Sequence, residues 1–543
     1  MNELSEIFKV ARNGDCITLE NKIYEVAPED SFHLDGFFFS NTANQKENPD
    51  GERFCAIYLN GKSDITVDGN GAVVMIHGKM TPFIFCECHN IVMKNIGFDH
   101  YRPTMSEFTV TDSAPGYAEI HINDEYIYRT EGNTLYWCGD KNKNGEPYWE
   151  IPYKGSGVLT NAFDPSTQVI DDMICGEGDL KGGVPDIAEL TELCKGTLKL
   201  RFRDKNRHIP AGTVAQTRSI KRVQTGGAID RCADVTLKNL RIMSMNGFGI
   251  LAQNSRNILY NGLDCTPKKG RTIVSDADFF HFSGCSGEVK VLNCRAKGAH
   301  DDIINIHGTH LRIVNVDRKN GSVLVRYSHT ESWGFEAYAV NDKIEYVCGN
   351  TLLPYGEATV LSAEKVSPTD VLIKVDRLPD REPAVNDVIE NVTRTASLTV
   401  ENNVFECIPS RAILCTTRKD VVIRNNTFRN MGASALCVAD DANFWFESGR
   451  SGDITFENNT VINCAARYSD FGDDVIRYEP VVMDKMSATP VHEKLILRNN
   501  RFISGTGRKY NFNLSYLEEA VIEGNTSNVK LEIINEKHTK ILR

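Results

Sequence analysis

The sequence contains no uncharged apolar run of roughly 18 residues, the length that a membrane-spanning helix requires, so it predicts no transmembrane segment. Its beginning, MNELSEIFKVARNGD, also lacks the long apolar core of a secretion signal. Taken as written, the sequence predicts a cytoplasmic protein, whereas a leader trimmed from the start would place it in the periplasm or outside the cell. A membrane is not an expected partner.

An excess of basic residues is missing as well. Lys and Arg number 61 against 73 Asp and Glu, which gives a formal net charge of −12. Nucleic acids need a basic face on their partner, so the sequence predicts no nucleic-acid binding. Acidic polysaccharides are disfavoured more weakly, because a local basic groove can exist in an acidic protein. A neutral substrate fits this charge best.

Cysteine is sparse for a disulfide scaffold, with 16 residues in a chain of 543. Cys86, Cys88 and His89 lie together in FCECHN, but their spacing matches no common zinc pattern. We therefore expect buried apolar cysteines, no metal and no cofactor.

A repeat is the dominant feature that is present. Short runs of alternating β-branched or aliphatic residues end in Asn or Gly, and they are ITVDGN, IVMKNIGF, VTLKNLRI, VKVLNCRA, LTVENNVF, VVIRNNTF, ITFENNTV, LILRNNRF and VIEGNTS. Neighbouring copies such as Asn402 and Asn425 lie 23 residues apart, within the range of solenoid repeats. Each unit has too little apolar surface to fold alone, whereas stacked units bury a continuous core.

The repeat favours a right-handed parallel β-helix, in which Asn takes the left-handed conformation at the corners. A leucine-rich repeat is the alternative, but Val, Ile and Phe outnumber Leu at these positions and no helical period separates the strands. Two stretches lack the repeat, and each contains an Asn-Gly pair typical of a type I′ hairpin, at Asn144-Gly145 and Asn320-Gly321. We interpret both stretches as small antiparallel β-barrels inserted into the β-helix.

The predicted organisation is N-terminal coils at 1–102, a first barrel at 103–225, coils with acidic residues at 226–311, a second barrel at 312–396 and C-terminal coils at 397–543. Within the first barrel, VPDIAELTELCKGT has the pattern of a short amphipathic helix between Asp186 and Gly196. The fold class is therefore all-β with one short helix in an insertion.

Three acidic residues between the insertions are the candidate catalytic groups. Asp278 and Asp301 lie 23 residues apart, about one coil, and Asp302 is adjacent, so all three should share one cleft. Crowded carboxylates repel one another, and one of them should keep its proton near neutral pH. An acid beside ionised carboxylates suits glycosidic cleavage. The alternative is an Asp-rich surface turn, solvated or bound to calcium.

Histidine and aromatic residues near this cluster favour a sugar site. His300, His307 and His310 surround the Asp pair in AHDDIINIHGTH and could bind sugar hydroxyls. Trp445 and Glu447 in DANFWFESGR suit a sugar's apolar face and its hydroxyls, although Trp445 could instead cap the core of a coil. Arg418 could donate to a hydroxyl or be a plain surface arginine. Trp333 could overhang the cleft.

The segments DADFFHF, AHDDIINIHGTH and ANFWFESG together resemble glycoside hydrolase family 110, the exo-acting α-1,3-galactosidases. More distantly, the arrangement is similar to the polygalacturonase clan. The resemblance implies a β-helix with two small barrels, Asp301 as the general acid, and Asp278 and Asp302 as the residues that position and deprotonate water. It also implies inversion, with acid and base about 6.5–9.5 Å apart.

Three functions follow as hypotheses. The first is an inverting exo-α-1,3-galactosidase acting on glycans of the blood-group-B type or on linear glycans, with an oligosaccharide or glycoconjugate as partner. The second is a polygalacturonase-like hydrolase, but the Arg295/Lys297 pair lies upstream of the Asp doublet rather than downstream. The third is a non-catalytic β-helix that binds glycans. The sequence leaves open whether the chain forms a homodimer.

Overall fold

The computed structural model describes residues 2–42, 46–172, 186–465, 474–536 and 538–543. The chain is a right-handed parallel β-helix whose coils stack into three long sheets, which confirms the β-helix over the leucine-rich repeat. The helix Glu3–Lys9 lies at the start, with Leu4 and Phe8 buried in the β-helix core. A short 3-10 turn, Pro28–Asp30, follows in the first coil.

Each coil contributes one strand to each sheet. Sheet one consists of Cys16–Thr18, Ser63–Asp68, His89–Lys94, Ala233–Lys238, Arg256–Asn261, Ser286–Leu292, Ala396–Glu401, Val421–Arg424, Asp453–Glu457, His492–Arg498, Leu517–Glu523 and Lys540–Leu542. Sheet two consists of Ile23–Val26, Val73–Ile76, Gly97–His100, Arg241–Ile242, Asp264–Cys265, Arg295–Lys297, Val404–Ile408, Thr427–Met431, Thr460–Ile462, Arg501–Ile503 and Thr526–Ser527. Sheet three consists of Phe32–Leu34, Arg53–Asn60, Thr81–Cys86, Gly227–Asp230, Ile250–Gln253, Phe280–Ser283, Ile304–Thr309, Ile413–Thr416, Leu436–Val438, Asp474–Tyr478, Tyr510–Leu514 and Leu531–Ile534, with Glu447–Ser448 paired beside it.

The repeated Asn pairs have two different roles. The first Asn of each pair has a positive φ, such as 59° at Asn402 and 60° at Asn425, as the repeat predicted. The second Asn is buried and donates to the next one along the axis, forming a ladder. The side-chain amide of Asn426, for example, donates to Asn459 at 3.0 Å. The ladder continues through Asn403, Asn426, Asn459, Asn500 and Asn525.

The second insertion is a closed antiparallel barrel. Its strands are Leu311–Asp317, Ser322–Arg326, Lys343–Val347, Pro354–Lys365, Asp370–Val375 and Val388–Asn391. The chain leaves sheet three to form this barrel and returns to sheet one at Ala396, so the barrel separates two neighbouring coils in sequence but not in space. Trp333 is buried in the barrel core and packs on Phe38, rather than overhanging the cleft.

The first insertion contains two antiparallel sheets. A seven-stranded sheet comprises Ser106–Ala114, Tyr117–His121, Val158–Asp164, Val169–Asp172, Ile187–Cys194, Thr197–Phe202 and Val214–Ser219. A three-stranded sheet comprises Ile127–Glu131, Thr134–Cys138 and Glu150–Pro152, and the 3-10 turn Gly155–Gly157 follows it. Among the described strands, the seven-stranded sheet is open, because its two edge strands, Val169–Asp172 and Ile187–Cys194, do not pair with each other.

Two local predictions in the insertions are wrong. The segment after Asp186 is the strand Ile187–Cys194, not a helix, because it pairs along Thr197–Phe202 while Ile187 and Leu190 pack on the domain core. A type I′ turn needs a positive φ at both central residues. Gly321 and Gly145 have a positive φ, but Asn320 and Asn144 before them do not, so neither turn is type I′. The second hairpin has a four-residue loop, in which Asp317 accepts from the backbone N–H of Lys319 instead.

No described helix is long and apolar enough to cross a membrane. The cysteines at described positions are free thiols, most of them buried, as the composition predicted. Cys86 and Cys88 are buried whereas His89 is exposed, so the FCECHN segment does not assemble a metal site.

Candidate active site

The register of sheet three aligns charged residues of successive coils just before the strands begin. Phe280 pairs with Ile304, and Ile304 pairs with Ile413 on the next coil. Two positions before these residues lie Asp278, Asp302 and Arg411, one on each successive coil. The backbone N–H of Asp302 lies 3.3 Å from Asp278 Oδ1, so the residue opposite Asp278 is Asp302, and Asp301 lies one position earlier.

The three predicted carboxylates come together. One oxygen from each of Asp278, Asp301 and Asp302 lies within 4.8 Å of the others. Asp278 and Asp302 are 3% and 1% exposed, whereas the Asp301 side chain is 27% exposed. These nearest oxygens are closer together than the roughly 6.5–9.5 Å between the carboxyl groups of an inverting pair, because neighbouring coils stack closely.

Two arginines balance the charge of this cluster. Arg411 forms a bidentate pair with Asp302, with Nε 2.9 Å from Oδ1 and Nη2 2.8 Å from Oδ2. Ser410 Oγ also donates to Asp302 at 2.8 Å. Arg222, which lies where the chain returns from the first insertion, has Nη2 3.2 Å from Asp301 Oδ2. The positive charges of the two guanidinium groups therefore offset the negative charge of the carboxylates within the protein itself.

The buried carboxyls have raised pKa values. Burial raises the pKa of Asp302 to about 7, and Arg411 opposes the shift. The pKa of Asp278 is raised well above its ordinary value, first by burial and then by the negative charge of Asp301, with Arg222 opposing. Burial therefore favours the protonated form of Asp278.

The cluster lines a cavity of about 230 Å³. Trp445 stands at its edge, 43% exposed, with its ring centroid 4.2 Å from that of His329 on the second insertion. Glu447 lines the same cavity and accepts from the side-chain amides of Asn41 at 2.7 Å and Asn305 at 3.3 Å. Carboxylates, amides and an exposed indole around one small cavity suit a sugar, which combines hydroxyls with an apolar face.

Four other predicted residues lie outside the lining of this cavity. His307 lies behind it, with Nε2 2.8 Å from His281 Nε2. His300 is buried against Gln216 of the first insertion, and His310 contacts the carbonyl of Asp441. Arg418 binds Glu345 and Glu390, so both sides of its guanidinium are already occupied. We therefore no longer assign His300, His310 and Arg418 to substrate binding.

Several residues of the site were missed from the sequence. Arg411 occupies the same place in SRAILC as Asp302 does in DDIINI, but the inserted barrel places them 109 positions apart in the sequence. His281 lies inside the quoted DADFFHF segment, three residues after Asp278, and that spacing was a usable signal. Arg222 and Asn41 come from loops with no pattern that marks them.

A parallel β-helix with converging carboxylates in a small cavity is an arrangement suited to a β-helical glycoside hydrolase, and the relatives of the chain show that class. Residues 322–389 match the family model described as GLAA-B beta-barrel domain II. Alpha-1,3-galactosidase A of Bacteroides thetaiotaomicron is 32% identical over 474 residues, covering 86% of this chain and 78% of that protein. Alpha-1,3-galactosidase A of Akkermansia muciniphila is 31% identical, covering 85% and 73%. The chain belongs to glycoside hydrolase family 110, the α-1,3-galactosidase family.

Solved structures with a similar fold are more distant. The hyperthermoactive exopolygalacturonase of Thermotoga maritima has 11% identity and a TM-score of 0.38, covering 99% of this chain and 95% of that one. The polygalacturonase of Erwinia carotovora has 7% identity and the same TM-score, covering 99% and 93%.

Proposed function

We propose that this protein hydrolyses the α-1,3 bond of a terminal galactose at the non-reducing end of a neutral glycan. The observation that carries the proposal is the cluster of three carboxylates in a cavity of about 230 Å³. This volume lies below the roughly 300–1,000 Å³ of sites for larger ligands, so it suits one terminal sugar rather than an internal stretch of polymer. Relatives named alpha-1,3-galactosidase support galactose as that sugar.

Charge pairing favours a neutral sugar over a uronate. Among the described residues that line the cavity, the cationic side chains are Arg222 and Arg411, and both already bind carboxylates of the cluster. A uronate would need an available guanidinium or ammonium group. The polygalacturonase-like hypothesis therefore has less support than hydrolysis of a neutral galactoside.

Asp301 is the proposed general acid. It is the most exposed carboxylate of the three, so it is the one that a glycosidic oxygen in the cavity reaches most directly. In the transition state it protonates the departing oxygen while water attacks the anomeric carbon from the opposite face. Trp445 would then stack on the apolar face of the sugar.

The hydrogen bonds of the other two carboxylates favour inversion despite their short separation. A covalent glycosyl intermediate requires an ionised carboxylate with an oxygen that can reach the anomeric carbon. Asp302 Oδ1 accepts from Ser410 Oγ and Arg411, and its Oδ2 accepts from Arg411. Asp278 Oδ2 is bound to His281. With both engaged, water is the better nucleophile, and we propose β-galactose as the first product.

The test compares purified wild type with Asp301→Asn on linear and fucosylated α-1,3-galactosides and on galacturonate oligomers. We expect galactose release by wild type only from the galactosides. Asp301→Asn should lose most activity on substrates with poor leaving groups and less on an activated aryl galactoside, which needs little protonation. NMR at early times should show β-galactose first. Equal losses on both substrate types, or α-galactose first, would contradict the assigned roles.

A further inference from the structure

A buried pair of histidines extends from Asp278 away from the cavity. His281 Nδ1 lies 2.8 Å from Asp278 Oδ2, and His281 Nε2 lies 2.8 Å from His307 Nε2. His307 Nδ1 lies 2.5 Å from the carbonyl oxygen of Gly308. His281 is 0% and His307 4% exposed, so this chain of contacts is shielded from bulk water.

With both histidines neutral, the carbonyl at the end of the chain determines where each proton lies. A carbonyl oxygen only accepts, so His307 Nδ1 must donate to Gly308. In a neutral His307 the Nε2 atom is then an acceptor, and His281 Nε2 must donate to it. His281 Nδ1 is therefore an acceptor too, and the proton in its contact with Asp278 belongs to the carboxyl group.

The electrostatics of the two groups agree with this direction. Burial lowers the pKa of His281 well below its ordinary value, which keeps its imidazole neutral. Burial is the largest cause that raises the pKa of Asp278. The resting site thus has a neutral Asp278 and a neutral His281.

We propose that His281 and His307 form a proton relay that lets Asp278 act as the base for the attacking water while it already holds a proton. The inference rests on the proposed function. As the water oxygen bonds to the anomeric carbon, its proton passes to Asp278 Oδ1. The proton on Oδ2 passes to His281 Nδ1, and the proton on His281 Nε2 passes to His307 Nε2. The bond to the leaving oxygen breaks, and that oxygen takes its electron pair and the proton of Asp301.

Glu447 stabilises the charge that arrives at the end of the relay. Its Oε1 lies 3.6 Å from His307 Nε2, and the Glu447 side chain is 11% exposed. Burial opposes the ionisation of Glu447, but positive charge on the facing His307 or His281 and the hydrogen bond from Asn41 lower its pKa, so the relayed proton stabilises Glu447 as a carboxylate. Arg222 and Asp301 are the other charged groups that act on His281, and they oppose each other. After the product leaves, the proton returns along the same path through water to Asp301.

The kinetic test is His307→Gln. Glutamine can accept from His281 but cannot carry the relayed proton, so kcat should fall by about 10²–10⁴-fold. This loss should be equal for good and poor leaving groups, unlike the loss in Asp301→Asn. Azide attacks without deprotonation, so sodium azide should restore the rate and yield β-galactosyl azide. A loss that depends on the leaving group, or no azide rescue in a folded variant, would overturn the relay.

A matched control is His492→Gln. His492 is also a buried histidine of the β-helix and accepts from the backbone N–H of Ser451, remote from the relay. This variant should keep the wild-type kcat and its response to azide. Equal loss in both variants would mean that removing a buried imidazole, rather than interrupting the relay, lowers the rate.

Neutron diffraction from crystals of the wild-type chain tests the proton positions without any activity. Deuterium should be found on His281 Nε2 and His307 Nδ1, and not on His281 Nδ1 or His307 Nε2. Deuterium on His281 Nδ1 in the resting protein would overturn the proposal. A wild type that releases no galactose would instead contradict the proposed function, and the neutron result would still decide the proton positions of the relay.

Discussion

Arg411 gives the sharpest test of how the catalytic cluster is held together. In Arg411→Met, the Asp302 carboxylate loses both bonds of the bidentate pair and keeps only Ser410 Oγ and the backbone N–H of residue 411. Removing one partner of a buried ion pair costs about 3–5 kcal/mol in the free energy of unfolding. Because the Arg411 side chain is 24% exposed, water can enter its place, and we expect the lower value, about 3 kcal/mol.

The destabilisation should depend on pH. In wild type, burial raises the pKa of Asp302 to about 7, so the folded protein gains an ionised Asp302 only above that pH. In the variant the pKa rises further, and Asp302 stays protonated. Below pH 7 the carboxyl is neutral in both proteins and the difference is small. Above pH 7 it should grow by up to about 1.4 kcal/mol per pH unit, until it reaches the cost of keeping the unpaired charge.

The assay is urea unfolding of wild type and variant at pH values from 5 to 9. Two controls accompany it. Arg411→Lys keeps the positive charge but loses the bidentate geometry, so it should be intermediate. Arg424→Met removes a 44% exposed arginine paired with Glu401 and should cost about 1 kcal/mol or less at every pH. A loss of stability in Arg411→Met that is the same at pH 5 and pH 9 would refute the reasoning.

Three further predictions concern Trp445 at the edge of the cavity, the Asn ladder and the buried carboxyl of Asp230. Trp445→Ala should raise KM about fivefold with little change in kcat, because it removes a stacking surface worth about 1 kcal/mol; steady-state kinetics measure this, and a loss confined to kcat would contradict it. Asn459→Ala removes the acceptor of the Asn426 backbone N–H and of one of its side-chain N–H groups, and it removes the donor to the carbonyl of Ile423. It should therefore lower the free energy of unfolding by about 3 kcal/mol or more in urea titrations; a change near zero would mean that the ladder adds no stability. Burial raises the pKa of Asp230 to about 6, so wild type should lose about 3 kcal/mol of stability relative to Asp230→Asn as pH rises from 4 to 7, and a parallel pH dependence of both proteins would contradict this.

The β-helix and its acidic cluster were predictable because their signals are local. Alternating apolar residues and the Asn pairs recur within each coil, so coil length alone placed Asp278 one turn from the Asp doublet. The pairing partner of Asp278 turned out to be Asp302 rather than Asp301, since the coil spans 24 residues at this point. The Ile187–Cys194 strand was mistaken for a helix because edge pairing, which no local pattern encodes, decides its conformation.

The sequence by itself determined the fold class and the three carboxylates, because a repeat of fixed length converts sequence distance into spatial distance. Only the tertiary structure decided what surrounds them. The second barrel separates Asp302 from Arg411 by 109 residues in the chain, yet the coils on either side of it stack directly. Arg222 and Asn41 also come from segments outside the repeat, so no sequence period specifies that they contact the site. Their charges and hydrogen bonds set the protonation of the cluster, so the chemistry of the site depends on contacts that sequence spacing does not contain.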